Sequence, residues 1–221
     1  MRVGLVIVAA GSSRRMHGTE KIWSVLGDRP VLWHAVNTLA PLADTTVLVV
    51  RGDCRQRAEQ EIASIPLDIH VLAGGTHRHE SVMHGVSALE DVDVIAVHDG
   101  ARPFASPGLF ARGLQMLDKF TGVVPVVPLR DTIKRVDKGM VSLTVDRSSL
   151  RAAQTPQLFK SGPLRAAQSE LDPETMPTDE AVLMEQSGYS IGVFPGDPWN
   201  LKITEPFDLL LARAIVGLDR S

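Results

Sequence analysis

Apolar residues along this chain fall into short runs separated by glycine-rich or charged turns. Val3 to Ala9 is a continuous apolar run, the pattern of a parallel strand covered on both faces. Pro30 to Leu39 carries Leu32, Ala35, Val36 and Leu39 on one stripe, with proline near the first turn, which predicts a helix. The alternation continues with a β-branched strand over Thr45 to Val50 and a charged helix over Arg55 to Ser64. A strand over Ile69 to Leu72 then ends at Gly74-Gly75, and a helix over Ser81 to Leu89 follows. The next elements are a strand over Val92 to Val97, a helix over Pro107 to Phe120 and a strand over Gly122 to Val127. This rhythm predicts an α/β fold, an open and mainly parallel sheet with helices on both faces. Ligands bind such sheets outside the carboxyl ends of the strands, which singles out the loops after Ala9, Leu72 and Val97.

The rhythm breaks over residues 129–150. Two short alternating runs, Thr132 to Val136 and Met140 to Val145, flank Lys138-Gly139 and predict a β-hairpin. It is too polar for a core, so we read 129–150 as a projecting arm on a single domain spanning 1–221. Beyond it, Pro163 to Leu171 reads as a helix, Asp172 to Pro177 as a proline-rich loop and Thr178 to Ser187 as a helix. Ile191 to Phe194 and Leu201 to Thr204 read as strands, and Glu205 to Val216 as a closing helix. No repeat, low-complexity tract or interdomain linker interrupts the chain.

Composition narrows the possibilities. The 221 residues are 44% hydrophobic and 22% charged, ordinary for a globular protein and incompatible with wholesale disorder. One cysteine, Cys54, forbids an intrachain disulfide and argues against a thiolate zinc site. A net charge of −3 is the wrong sign for a broad nucleic-acid surface. Trp23, Trp33 and Trp199 are too dispersed to form a base-stacking platform. No stretch approaches the ~18 consecutive apolar residues of a membrane span. The N-terminal apolar run is too short for a signal peptide and meets Ser12-Ser13-Arg14-Arg15 at once. It is read as a buried strand, and the protein as cytoplasmic, with neither nucleic acid nor membrane as partner.

The three strand-end loops hold the candidate chemistry. Ala9-Ala10-Gly11-Ser12-Ser13-Arg14-Arg15-Met16 combines small residues, whose backbone N–H groups can approach a phosphate, with two arginines and nearby Lys21. It matches neither G-x-G-x-x-G nor G-x-x-x-x-G-K-[ST], and a surface turn with solvated arginines is the plain alternative. Gly74-Gly75, with Arg78 and Ser81 beyond, suits a flat ligand lying against backbone, or an ordinary loop entering a helix capped near Ser81. In His98-Asp99-Gly100-Ala101-Arg102-Pro103, Asp99 can hold a magnesium ion or a hydroxyl, or simply pair with Arg102; His98 reads as structural. Lys202, between Leu201 and Ile203, either guards a sheet edge or points into a site. His77, His79 and His84 show no ligand pattern, and no protein metal site is assigned.

Taken together, these motifs resemble the 2-C-methyl-D-erythritol 4-phosphate cytidylyltransferase family, CTP-dependent enzymes of the non-mevalonate isoprenoid pathway. The matching segments are Ala9-Ala10-Gly11 through Arg15-Met16, Lys21, Gly74-Gly75 with Ser81-Val82, and Val97 through Pro103. They continue with Asp131-Thr132-Ile133-Lys134, Val145-Asp146-Arg147, Gln154-Thr155-Pro156-Gln157, Thr178-Asp179-Glu180-Ala181 and Lys202-Ile203-Thr204. Each is short, but they run in family order over nearly the whole chain.

The resemblance implies a Rossmann-like nucleotidyltransferase fold and a homodimer in which the arms interlock. It implies CTP and a polyol phosphate as substrates, with Mg²⁺ or another divalent cation carried mainly on the CTP phosphates. By resemblance, Arg15 and Lys21 stabilise the α-phosphate, while Arg147 and Lys202 position the substrate phosphate, Arg147 reaching across from the partner's arm. CTP is expected against Ala9, Ala10, Gly11, Ser12, Ser13, Gly74, Gly75, Ser81, Asp99 and Gly100. The polyol phosphate is expected against Asp99, Arg102, Thr132, Arg147, Thr155, Thr178 and Lys202.

The chain departs from the family pattern at Ser13, at Glu20 and Ile22 on either side of Lys21, at Thr76 and at Gly100. Glu20 is placed to pair with Lys21. A sister activity, ribitol 5-phosphate cytidylyl transfer, would share CTP and the fold but take a longer polyol. A non-catalytic nucleotide-binding subunit would be expected to have lost Arg15, Lys21, Arg147 and Lys202, and a hydride-transfer enzyme to carry the G-x-G-x-x-G fingerprint.

Overall fold

Strand β1 (Val3–Ala9) is buried along its whole length and pairs in parallel with β4 (Thr45–Val50) on one side and β6 (Val94–Asp99) on the other. The structure is a computed structural model, described over residues 1–11, 21–172 and 176–217. Between β1 and β4 lie the short strands β2 (Val25–Leu26) and β3 (Arg29–Pro30), which pair only with each other, and helix α1 (Val31–Leu39). Helix α2 (Arg55–Ile62) leads to β5 (Ile69–Ala73), which pairs in parallel with β4. Helix α3 (Arg78–Ser87) leads to β6, and α4 (Pro107–Met116) to β7 (Gly122–Pro128).

The period-two geometry of β1 divides the core. Leu5, Ile7 and Ala9 join Leu32, Val36, Ala58, Leu109 and Phe110 on the face covered by α1, α2 and α4. Val6 and Val8 join Val82 and Val86 of α3 on the other face. Two helices from later in the chain, α5 (Ser161–Ser169) and α6 (Glu180–Gln186), complete that second layer. The expected α/β architecture, mainly parallel with helices on both faces, is the observed one.

The far side of the sheet differs from expectation. β10 (Arg151–Ala153) and β11 (Gln157–Lys160) run antiparallel to β7, and β11 also separates β7 from β6. Strands of three and four residues are too short to show a period. β12 (Ile191–Pro195) pairs in parallel with β7. No strand forms at Leu201–Thr204; that loop is held by the Ile203 amide donating to the Ala101 carbonyl at 2.9 Å. Helix α3 starts at Arg78 rather than Ser81, because Glu80 accepts from the amides of His77 and Thr76 and so closes the first turn. Helix α4 stops at Met116, short of Phe120, and α6 starts after Asp179, whose carboxylate accepts from the Val182 amide. Helix α7 (Pro206–Val216) closes a third apolar cluster with Ile203 and Leu26.

Residues of the arm form β8 (Ile133–Asp137) and β9 (Met140–Val145). Lys138 and Gly139 take positive φ, 47° and 81°, as a two-residue hairpin turn requires. The arm is less polar in space than in sequence, for Val136, Met140, Val141 and Leu143 are all exposed. Among the described residues, no helix is long and apolar enough to cross a membrane.

Candidate active site

A cavity of about 420 Å³ opens at the carboxyl ends of β1, β4, β5 and β6. Ala9, Ala10 and Gly11 border it after β1, Gly75, Thr76, His77, Arg78 and Ser81 after β5, and Asp99 and Ala101 at and after β6. Lys21 and Lys202 enter from elsewhere in the chain, and Arg51, at the end of β4, completes the rim. All three loops expected to carry chemistry meet here; the fourth, after β4, is charged, but Arg51-Gly52-Asp53-Cys54 leads straight into a charged helix and so reads in sequence as a solvated helix entry.

Two of these loops lie against each other because Gly74 has no side chain. A Cβ there would sit 2.6 Å from both the Ala10 Cβ and the Ser81 Oγ. The Gly74 amide donates to the Val50 carbonyl, continuing the β4–β5 ladder into the loop. Ser81 Oγ accepts from the Gly75 amide at 3.2 Å and donates to the His77 carbonyl at 3.1 Å. The loop is thus a shelf braced by the bonds of its own amides, with Gly75 bordering the cavity.

Asp99 is the electrostatic centre. Its Oδ2 accepts from Lys202 Nζ at 2.7 Å and lies 3.7 Å from Arg102 Nε, while its Oδ1 faces Arg78 Nη2 at 3.3 Å. Burial alone would raise this carboxyl, but Arg78, Lys202 and Arg102 overcome it and hold Asp99 well below the usual carboxylate range. Arg102 is itself buried, its Nη1 donating to the Asn200 carbonyl at 2.8 Å; burial draws its guanidinium below the ordinary value despite Asp99. Thr155 Oγ1 accepts from the Asp99 amide at 3.1 Å, and Asn200 Nδ2 donates to the Thr155 carbonyl at 2.7 Å. Arg102 and Thr155 therefore stand behind Asp99 rather than on the cavity wall.

His98 completes the support. Its Nε2 lies 3.0 Å from the Arg102 carbonyl, which can only accept, so Nε2 donates and Nδ1 accepts from the Thr155 hydroxyl at 3.0 Å. Burial lowers its pKa from 6.5 to about 4. The unfolded chain therefore binds a proton between those values that the folded chain excludes. Stability is full above 6.5 and falls as pH drops toward 4, by about 3 kcal/mol for a shift of this size. The expected urea midpoint is lower at about pH 4.5 than at about pH 7, with a shallower fall in His98→Gln, which cannot take the proton. Equal falls in the two proteins would remove His98 as the cause.

The remaining expected site residues are placed as follows. Gly100 is buried beneath the end of β1, where a Cβ would lie 3.0 Å from the Ala9 Cβ. Thr132, Arg147 and Thr178 are exposed and do not line the cavity. Ser12, Ser13 and Arg15, and also Glu20, lie outside the described residues. Sequence reasoning missed Glu180, whose carboxylate binds Arg78, and Asn200, whose backbone and side chain brace Arg102 and Thr155. Glu180 lies in the matching segment Thr178-Asp179-Glu180-Ala181, but its role and that of Asn200 are not legible there, since their partners are 102 and at least 45 residues away. Among the described residues, no three His, Cys, Asp or Glu side chains converge to hold a metal ion.

Residues 3–218 match the family model described as 2-C-methyl-D-erythritol 4-phosphate cytidylyltransferase. A protein of that name from Dehalococcoides mccartyi (strain CBDB1) is 37% identical over 224 residues, covering 99% of this chain and 98% of the relative. Among solved structures, the 4-diphosphocytidyl-2C-methyl-D-erythritol synthase of Anaerococcus prevotii DSM 20548 superposes with a TM-score of 0.86. It is 29% identical, over 98% of this chain and 99% of that one. The 2-C-methyl-D-erythritol 4-phosphate cytidylyltransferase of Thermus thermophilus gives a TM-score of 0.79 at 29% identity, over 99% and 100% of the two chains.

Proposed function

The chain belongs to the 2-C-methyl-D-erythritol 4-phosphate cytidylyltransferase family, and from that membership we infer that it transfers the cytidylyl group of CTP to 2-C-methyl-D-erythritol 4-phosphate. The products are 4-diphosphocytidyl-2-C-methyl-D-erythritol and pyrophosphate. The fold is the Rossmann-like nucleotidyltransferase fold of its solved relatives. The sister reaction on ribitol 5-phosphate is not favoured, because the family model and the relatives alike carry the methylerythritol name.

One observation carries the assignment of this reaction to the cavity. Two lysines from distant segments, Lys21 and Lys202, converge with Asp99 on a glycine-bordered shelf at the strand ends. In the reaction a phosphate oxygen of methylerythritol phosphate attacks the α-phosphorus of CTP. A new P–O bond forms, the bond between the α-phosphorus and its bridging oxygen breaks, and pyrophosphate leaves with the electron pair. The nucleophile is already ionised at neutral pH, since the second pKa of a phosphate monoester is about 6, so no general base is needed. Two anions must meet, and the protein's task is positioning and charge stabilisation.

In this reading Lys21, together with Arg15, stabilises charge on the α-phosphate. Lys202 and Arg147 place the attacking phosphate. Asp99 accepts from a substrate hydroxyl, with Arg102 and Thr155 acting in part through it, and Thr132 and Thr178 complete the polyol side. The cytosine lies on the shelf of Gly74, Gly75 and Ser81 against Ala9, Ala10 and Gly11, with Gly100 beneath; Ser12 and Ser13 are assigned to CTP by the family resemblance.

Among the described residues lining the cavity, Asp99 is the one carboxylate a divalent ion could use, and it is bound by three cations. Mg²⁺ therefore fits as an ion held by the CTP oxygens, where it offsets triphosphate charge. CTP as a substrate supports a cytoplasmic enzyme.

Arg147 is exposed at the base of the arm, and the arm presents Val136, Met140, Val141 and Leu143 to solvent. A bare two-stranded hairpin is marginal in water. Packing against the arm of a second copy covers these side chains and supplies Arg147 to the neighbouring cavity, which makes the active form a homodimer and 129–150 its dimerisation arm.

The test is pyrophosphate release. Release is expected from CTP with methylerythritol phosphate, and at least ~10-fold less kcat/KM with ribitol 5-phosphate or when UTP replaces CTP. A backbone carbonyl on the shelf accepts from the cytosine amine, where uracil offers only an acceptor. Equal kcat/KM for CTP and UTP would remove base reading from this loop, and equal use of the two polyols would revive the ribitol assignment.

A further inference from the structure

Glu180 is the first residue of α6 and is only 3% exposed. It does not cap its helix, because Asp179 does so, accepting from the Val182 amide with one oxygen and from Gln157 Nε2 with the other. Its carboxylate is instead bound to Arg78, whose Nη1 donates to both oxygens at 2.8 and 3.0 Å. The other edge of the same guanidinium, Nε and Nη2, faces Asp99 Oδ1 at 3.4 and 3.3 Å. One arginine thus divides its two edges between two buried carboxylates, and the short bonds go to Glu180. That division leaves Asp99 Oδ2 to Lys202.

A buried carboxylate is costly, and an apolar side chain would fill the same space more cheaply unless the charge serves something else. Burial pushes the Glu180 carboxyl up, and Arg78 only partly offsets it. With Glu180 neutral, Asp99 remains as the charged partner of Arg78 among the described residues, so the guanidinium closes on it and competes with Lys202 for the same carboxylate. Lys202 sits in a loop without regular structure, its side chain 37% exposed, so the place of its ammonium depends on that contact.

We infer that Glu180 is a positioning residue: by taking the short bonds of Arg78 it keeps that arginine to the longer contacts with Asp99 Oδ1, and thereby leaves Oδ2 to orient Lys202 in the cavity. The inference rests on the reading of Lys202 as the cation that places the attacking phosphate. It also joins the two halves of the site, since Arg78 leaves the nucleotide shelf while Asp99 and Lys202 face the polyol phosphate.

The experiment is a double-mutant cycle read as kcat/KM for methylerythritol phosphate at saturating CTP. Glu180→Gln keeps the shape and removes the charge, and is expected to lower kcat/KM by about tenfold, the scale for neighbours in one hydrogen-bonded network. In a Lys202→Ala background the same change is expected to cost less than about twofold, because the group it positions is gone. A loss of equal factor in both backgrounds overturns the inference, as does no loss in the otherwise native enzyme. A purely structural role would lower both backgrounds alike. If Glu180→Gln does not fold, as judged by thermal melting, Arg78→Lys takes its place, since it keeps a charge but cannot span two carboxylates, and the same non-additivity is expected. Full turnover in Lys202→Ala alone marks a different failure, that of the role given to Lys202, and the inference falls with it.

Discussion

Lys21→Ala lowers turnover by at least ~10²-fold, the scale for losing one preorganised charge at a transition state. Lys21 opens a short 3₁₀ turn, Lys21–Trp23, whose next two residues, Ile22 and Trp23, are buried in the main core. The backbone that carries the lysine is therefore fixed by packing, and its side chain borders the cavity. A fixed cation costs no reorganisation when charge builds on the α-phosphate, so its loss falls on kcat more than on the KM for CTP. Asp208 competes for this lysine. Its carboxyl is held below the ordinary value, against burial, chiefly by bonds from Thr204 and Glu205, with Lys21 contributing. If kcat stays within about threefold of the native value, Lys21 serves that carboxylate or Glu20, and the transition-state role is wrong.

Mixing two inactive variants restores about a quarter of native activity if the arm completes the neighbouring site. Arg147→Ala and Lys202→Ala each remove one cation from every site of their own homodimer, and each is expected to lose ~10²-fold or more. After random exchange of equal amounts, about half of the dimers are mixed. In a mixed dimer one cavity keeps its own Lys202 and receives an intact Arg147, while the other lacks both. Half of the sites in half of the dimers gives roughly a quarter recovered. Subunit exchange is checked independently, by mass-tagged chains for example. Demonstrated exchange with activity no higher than that of the single variants would mean that Arg147 acts within its own chain or not at all.

The arm shows how far pattern reading reaches and where it stops. Its two strands and its turn are legible because a hairpin is a local object: period-two alternation on either side of Lys138-Gly139 is written in consecutive residues. What packs on it is not, because packing of an exposed face depends on surfaces the local pattern does not contain. The same divide runs through the sheet. The boundaries of β1, β4 and β6 follow from the pattern to within two residues, since strands buried on both faces are largely continuous apolar runs, and the short edge strand β5 is delimited by the Gly74-Gly75 turn that follows it. β10 and β11 escape it because three or four residues carry no period, and their antiparallel direction is set by the pairing with β7.

The sequence by itself determined the layers of the fold, the strand ends that border the cavity and the family to which the chain belongs. Each of these is encoded in short-range pattern or in motifs kept in order. Only the tertiary structure decided how the charges are shared. Asp99 could have paired with Arg102 alone, three residues on; instead it binds Lys202 across 103 positions of sequence (202 less 99) and meets an arginine that Glu180 holds from the far side. Arg102, expected from the family resemblance to bind the substrate, is turned inward to the Asn200 carbonyl. The physical reason is that a buried charge has to find its partner in space, and five ionised side chains in one small volume settle their pairing jointly, by distance, burial and mutual competition, none of which has a period along the chain.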